Sequence, residues 1–219
     1  MENVKLNNNI TCPVVGIGTF MLSPSDAENS VREALKMGYR LIDTANAYVN
    51  ERAVGRGIKA SGVPREDIFL STKLWPSEYE SPNAVDETLE RLGADCVDLL
   101  YIHQPAGNRL AGYRQLEKAY REGKARSIGI SNLEGEYIAR LEKEWEIAPQ
   151  FIQVEAHPYF TQKQLRKTLD KYGIKLMSWY PLGHGDRSLL NEPVFAVLGK
   201  KAGSARRPAE IRITASARR

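Results

Sequence analysis

Asp43, Tyr48, Lys73 and His103 differ in chemistry, and each stands within a few residues of the C-terminal end of an apolar run. Asp43 and Tyr48 belong to RLIDTANAY, Lys73 closes IFLSTK, and His103 closes VDLLYIH. A carboxylate, a phenol, an amine and an imidazole delivered to one rim of a parallel sheet make a proton-transfer site. Taken singly, each has an ordinary structural use: a helix cap, a half-buried loop tyrosine, a solvated strand-end lysine, a satisfied imidazole. Packing does not require all four at the ends of neighbouring strands.

The elements that must position them follow one rhythm. The runs VVGIGTF, RLIDTA, DIFLSTK, VDLLYIH, ARSIGIS, FIQVEA and IKLMSWY predict seven strands, recurring every roughly 25 to 30 residues. Between them, apolar residues at helical spacing predict helices over 26–37, 51–60, 82–92, 110–122, 133–144 and 161–172. Ser25-Asp26 offers an N-cap, Ser81-Pro82 puts a proline at a first helical turn, and Gly38, Gly93, Gly123 and Gly173 fall where helices stop. Repeated βα units with short connections predict an α/β fold with a right-handed parallel sheet, closed as a barrel or open and doubly wound. Two observations favour the barrel. The notable polar residues follow several strands, whereas an open sheet gathers its site at one switch point. The dinucleotide fingerprint is also missing: after Gly16-Ile17-Gly18 its third glycine position holds Met21, and this GxG reads as a turn into a loop.

Composition sets outer bounds. At 219 residues, 42% hydrophobic and 26% charged, the chain is long enough for one sizeable core. It has no uninterrupted apolar stretch of ~18 residues and no apolar N-terminal leader, so a cytoplasmic protein is expected. Residues 204–219 hold five arginines and one glutamate, which accounts for the whole net charge of +4 and leaves residues 1–203 neutral. The body therefore gives no electrostatic reason to bind nucleic acid or a membrane. Cys12 and Cys96 match no zinc or redox spacing and read as two reduced, buried thiols. His103, His157 and His184 share no metal-ligand spacing, and no metal is expected.

The segments VVGIGTF, LIDTANAY, STKLW, LLYIHQP, IGISN, IQVEAHP and SWYPLG, in this order and spacing, resemble the aldo-keto reductases over residues 4–203. The likeness is to bacterial members of the diketogluconate reductase kind. It implies a (β/α)8 TIM barrel that uses NADPH to reduce aldehydes and ketones to alcohols, a small carbonyl substrate, and a monomer. Under the resemblance Tyr48 is the general acid, Lys73 and Asp43 favour the phenolate that forms, and His103 orients the substrate oxygen. A free phenol, with a pKa of about 10, needs such help near neutral pH. The resemblance also assigns Ser131, Asn132 and Gln153 to the nicotinamide carboxamide and Trp179 to stacking on its ring. It places Leu182, Gly183 and Asp186 on the loop along the pyrophosphate, and Gly18 and Thr19 against the cofactor from the first loop. Phe20, Trp75 and His103 line the substrate pocket beside Tyr48. His157 reads as structural, and His184 lies near the cofactor.

The chain departs from the family at Phe20 and Gln104, where tryptophan is frequent, and above all after Gly203. No eighth strand, no basic loop for the 2′-phosphate and no final helix is recognisable there, so the barrel is expected to be incomplete, with about seven βα units over 1–203. Residues 204–219 read as a disordered basic tail or as the product of a shifted reading frame. The alternatives are a catalytically defective barrel fragment serving as a nucleotide-binding or regulatory module and, more remotely, an open-sheet dehydrogenase.

Overall fold

The computed structural model describes residues 2–132, 136–183, 192–194 and 197. The chain divides into two compact units, Met1–Gln150 and Phe151–Arg219. The expected basic tail, with the segment that would follow a seventh helix, lies outside the described residues.

The first unit opens with a hairpin that the apolar pattern does not announce, β1 (Asn3–Lys5) paired antiparallel with β2 (Thr11–Pro13). Its turn reaches the N-terminal side of the sheet: Asn8 Nδ2 donates to the Arg126 carbonyl at 3.0 Å, and Asn7 Nδ2 to the Pro149 carbonyl at 3.2 Å. Five parallel strands follow: β3 (Gly16–Gly18), β4 (Leu41–Asp43), β5 (Phe69–Leu74), β6 (Leu99–Ile102) and β7 (Ile128–Ser131). They lie side by side in chain order. A doubly wound sheet reverses its strand order at a switch point. Sequential order, with a helix crossing back after each strand, is barrel winding. The helices are α1 (Pro24–Lys36), α2 (Glu51–Ser61), α3 (Ala84–Leu92), α4 (Arg109–Arg121) and α5 (Glu136–Leu141). The second unit holds β8 (Phe151–Glu155) paired parallel with β9 (Lys175–Trp179), and between them α6 (Lys163–Asp170). The fold class is α/β of the (β/α)8 type, with seven parallel strands among the described residues.

Gly16-Ile17-Gly18 is itself a strand, contrary to its reading as a turn. A Cβ on Gly16 would stand 2.4 Å from Leu41 Cγ, so only glycine lets β3 seat against β4. Helix α1 begins at Pro24, two residues before the expected start. Its N-cap is Ser23, whose Oγ accepts from Asp26 N at 3.1 Å, and Pro24 occupies the first turn, where a missing N–H costs nothing. Pro82 lies in the turn ahead of α3, whose N-cap is Asn83. At the other end of α3, Gly93 takes φ 64° and stops the helix as expected.

Every residue of β5 is buried, as in a parallel strand covered on both faces. At the N-terminal ends of the strands one carboxylate staples three segments. Asp98, 1% exposed, accepts Leu70 N at 2.9 Å, Arg65 Nη1 at 2.8 Å and Arg126 Nη1 at 2.6 Å. Cys12 is buried as expected. Cys96, in the turn leading into β6, is only half-buried, and both stay thiols.

Candidate active site

Strand register explains how the first three polar groups meet. Asp43 pairs with Ser71 across β4 and β5, and Lys73, two residues further, projects from the same face of β5. The two oxygens of Asp43 therefore have different partners: Oδ1 accepts the Ser71 hydroxyl, and Oδ2 accepts Lys73 Nζ at 2.6 Å. Lys73 is fully buried, and its ammonium also donates to the Thr44 carbonyl at 2.8 Å and to the Tyr48 hydroxyl at 3.5 Å. Burial works against its charge, but the carboxylate of Asp43 and the phenol oxygen of Tyr48 outweigh it and hold Lys73 above the usual lysine range. Thr72, on the opposite face of β5, donates instead to Glu51 Oε1 at 2.7 Å, a carboxylate also bound by Arg91 Nε at 2.6 Å. Desolvation raises Glu51 despite these partners.

Tyr48 ends a short 3-10 turn, Asn46–Tyr48, that follows β4. Its ring stands 5.0 Å from Phe20 and 5.5 Å, edge-on, from His103. Trp75 closes the other side of His103, with ring centroids 4.9 Å apart. Asn46 Oδ1 accepts Trp75 N at 3.0 Å and so sets the start of the Trp75 loop. Phe20 and Trp75 remain 51% and 40% exposed, which leaves an aromatic rim around a phenol, an ammonium and an imidazole.

His103 is 7% exposed, and its Nδ1 is buried without a hydrogen-bond partner. Burial first, then the Lys73 ammonium, push its imidazole down to about 4, against the opposing pull of Asp43. At neutral pH it is therefore an uncharged ring. The sign for stability follows from proton uptake. Between about pH 6.5 and 4 the unfolded chain binds a proton at this position and the folded chain does not, so stability falls as pH falls through that window. Thermal unfolding followed across pH 4–7 is expected to show this loss, and His103→Gln is expected to flatten that part of the curve. An unchanged slope in the variant would assign the acid lability elsewhere.

The cofactor residues expected on the first unit are distributed over its strand ends. Gly18 closes β3, and nothing lies within 4 Å of the place its Cβ would take. Thr19 is fully buried, with its N–H on the Asp43 carbonyl at 3.0 Å and its hydroxyl on Thr44 Oγ1 at 2.9 Å. Ser131 ends β7 and is 1% exposed. Asn132 takes φ 60°, a value asparagine tolerates, and its Nδ2 donates to the His103 carbonyl at 3.3 Å. On the second unit, Gln153 is buried in β8 with Nε2 on Met177 Sδ at 3.1 Å. Trp179 ends β9, edge-on to Tyr180 at 4.8 Å, and Leu182 and Gly183 lie in the turn that follows. Asp186 and His184 lie outside the described residues. His157 stands after β8 with Nε2 3.2 Å from Glu155 Oε1.

The apolar pattern misses four residues of this site. Ser71 anchors Asp43, the Thr44 carbonyl holds Lys73, Asn46 sets Trp75, and Asn50 ties the loops after β3 and β4 together. Ser71 carries a usable signal, since serine and lysine two apart on a strand share a face. Asn50 carries a misleading one, because it stands where a helix N-cap is expected.

The sequence model of the aldo/keto reductase family matches residues 14–201. A glyoxal reductase of Bacillus subtilis is 42% identical over 205 residues, 91% of this chain and 74% of that protein. Among solved structures, an aldo/keto reductase from Brucella melitensis superposes with a TM-score of 0.87 at 41% identity, covering 94% of this chain and 80% of that one. The aldose reductase of Schistosoma japonicum superposes with a TM-score of 0.89 at 28% identity, covering 97% and 78%.

Proposed function

The chain belongs to the aldo/keto reductase family and is an oxidoreductase acting on carbonyl compounds, and from that premise we propose that it reduces small aldehydes and ketones with NADPH, Tyr48 giving the proton. The observation that carries the proposal is the chain of contacts from Asp43 through the buried Lys73 ammonium to the Tyr48 hydroxyl. A phenol beside a desolvated, firmly held ammonium gives up its proton to a developing alkoxide more readily than a phenol in water, because the phenolate left behind is stabilised at once. Asp43 keeps the ammonium charged and in place. Ser71 keeps Asp43 in place.

His103 contributes as a neutral ring. With Nδ1 enclosed and partnerless, its proton sits on Nε2, from which it donates to a substrate oxygen. Two donors converging on one oxygen orient the carbonyl, and the faces of Phe20 and Trp75 keep water from it.

The residues of the first unit fit a nicotinamide. Ser131 and Asn132 offer a hydroxyl and an amide to its carboxamide, and Gly18 offers an uncovered strand end. When bound, NADPH supplies the hydride that the carbonyl carbon accepts.

The glyoxal-reducing relative points to small reactive dicarbonyls as the first substrates to try. Purified protein is expected to oxidise NADPH in the presence of glyoxal and of a wider aldehyde panel, faster than it oxidises NADH. Absence of nucleotide oxidation with every aldehyde, in a sample that binds NADPH by tryptophan quenching, would sink the proposal.

A further inference from the structure

Val49 follows Tyr48 directly and takes φ 56°, ψ 24°, in the left-handed region. Residues with a branched Cβ avoid that region, and glycine enters it freely. The side chain is 84% exposed, so packing of Val49 does not hold the conformation. The next residue is the opposite case. Asn50 is 2% exposed and stands at the N-cap of α2, yet its side chain makes no capping hydrogen bond there. The amide is directed into the site instead. Nδ2 donates to the Thr19 carbonyl at 2.9 Å and to the Leu22 carbonyl at 3.2 Å, and Oδ1 accepts the Thr44 hydroxyl at 3.0 Å. Thr44 is the residue whose carbonyl holds Lys73 Nζ, and Thr19 and Leu22 flank the loop that carries Phe20.

We propose that Val49 and Asn50 are positioning residues for the reaction: the buried amide of Asn50 holds a strained turn at Val49, and that turn sets the Tyr48 hydroxyl against Lys73. Released from the amide, Val49 relaxes toward an extended or right-handed conformation and carries Tyr48 off line. A glycine in place of Val49 has no such tendency, because the left-handed conformation is already one of its own minima. The two residues are therefore coupled through the turn, and the coupling has a sign. A side chain that merely filled a polar knot in the core would show none.

The inference rests on Tyr48 being the acid, and its test is separate from the test of that reading. Turnover (kcat) of glyoxal with NADPH is measured for the wild type, Asn50→Ala, Val49→Gly and the double variant. Asn50→Ala is expected to lose on the order of 10²-fold in kcat, the size of effect that a displacement of about 1 Å produces. In the Val49→Gly background the same substitution is expected to lose less than about tenfold, a rescue read directly from the cycle. Equal losses in the two backgrounds, or a folded Asn50→Ala protein with wild-type kcat, overturn the proposal. If Asn50→Ala does not accumulate as folded protein, Asn50→Ser, which keeps a hydroxyl for Thr44, goes through the same cycle under the same criteria. Tyr48→Phe serves as the control: undiminished turnover there removes the reading of Tyr48 whatever the cycle shows.

Discussion

Tyr48→Phe is expected to lower turnover with NADPH and any carbonyl substrate by on the order of 10³-fold, within the range that a positioned general acid contributes. The substitution removes one oxygen and keeps the ring, so the contacts with Phe20 at 5.0 Å and His103 at 5.5 Å survive. Cofactor binding is expected to stay near the wild-type value, since the phenol belongs to the acid's side of the proposed mechanism. Two measurements on one sample separate these effects: quenching of tryptophan fluorescence by NADPH, and single-turnover oxidation of the bound nucleotide. His103 is a poor replacement, because its imidazole, pushed down to about 4, is uncharged at neutral pH. A variant that turns over within tenfold of the wild type would remove the acid's role from Tyr48.

Lys73→Met is expected to damage both activity and stability. Methionine fills much of the space, but it leaves Asp43 with the Ser71 hydroxyl as its remaining partner among those described above, and it leaves the Thr44 carbonyl without its ammonium. Stranding one partner of a buried pair costs about 3 kcal/mol, which chemical denaturation would read as a lower midpoint at unchanged slope. Turnover is expected to fall by on the order of 10²-fold or more, because the phenolate loses the charge that stabilises it. A second substitution separates the two losses. Adding Asp43→Asn removes the carboxylate charge that Lys73 no longer balances and is expected to restore part of the stability and none of the turnover. Activity recovering together with stability would mean that Lys73 acts through folding alone.

The polar rim was legible because it depends on simple periodicities. Asp43, Lys73 and His103 end apolar runs, and in a parallel fold each such run delivers its last residue to the same edge. The seven strands were legible for the same reason: each carries a short apolar run, as Ile68-Phe69-Leu70 leads the wholly buried strand Phe69–Leu74. Short elements fixed by single contacts were not. The hairpin Asn3–Lys5 with Thr11–Pro13 has three residues on each side, too few to show a period. The strand Gly16–Gly18 contains two residues that ordinarily weaken strands, and what selects it is the close approach of Leu41, whose Cγ lies 2.4 Å from where a Cβ on Gly16 would stand, a tertiary fact. The residues that hold the site are the hardest case. Asn50 is chemically suited to capping α2, and nothing local says that its amide turns inward to Thr19 and Leu22.

Asp98 lies at the other end of the strands, joined to Arg65, Arg126 and the Leu70 amide. By fixing where β5, β6 and β7 begin, it ties these strands together from the edge that does no chemistry. The loops at the opposite edge then need not set where these three strands begin, and an exposed side chain there can change without unfolding its support. Under the proposed function, a change of carbonyl substrate falls on Phe20, Trp75 and their neighbours, while the β4–β5 register, Asp43 against Ser71, keeps Lys73 and Asp43 facing one another.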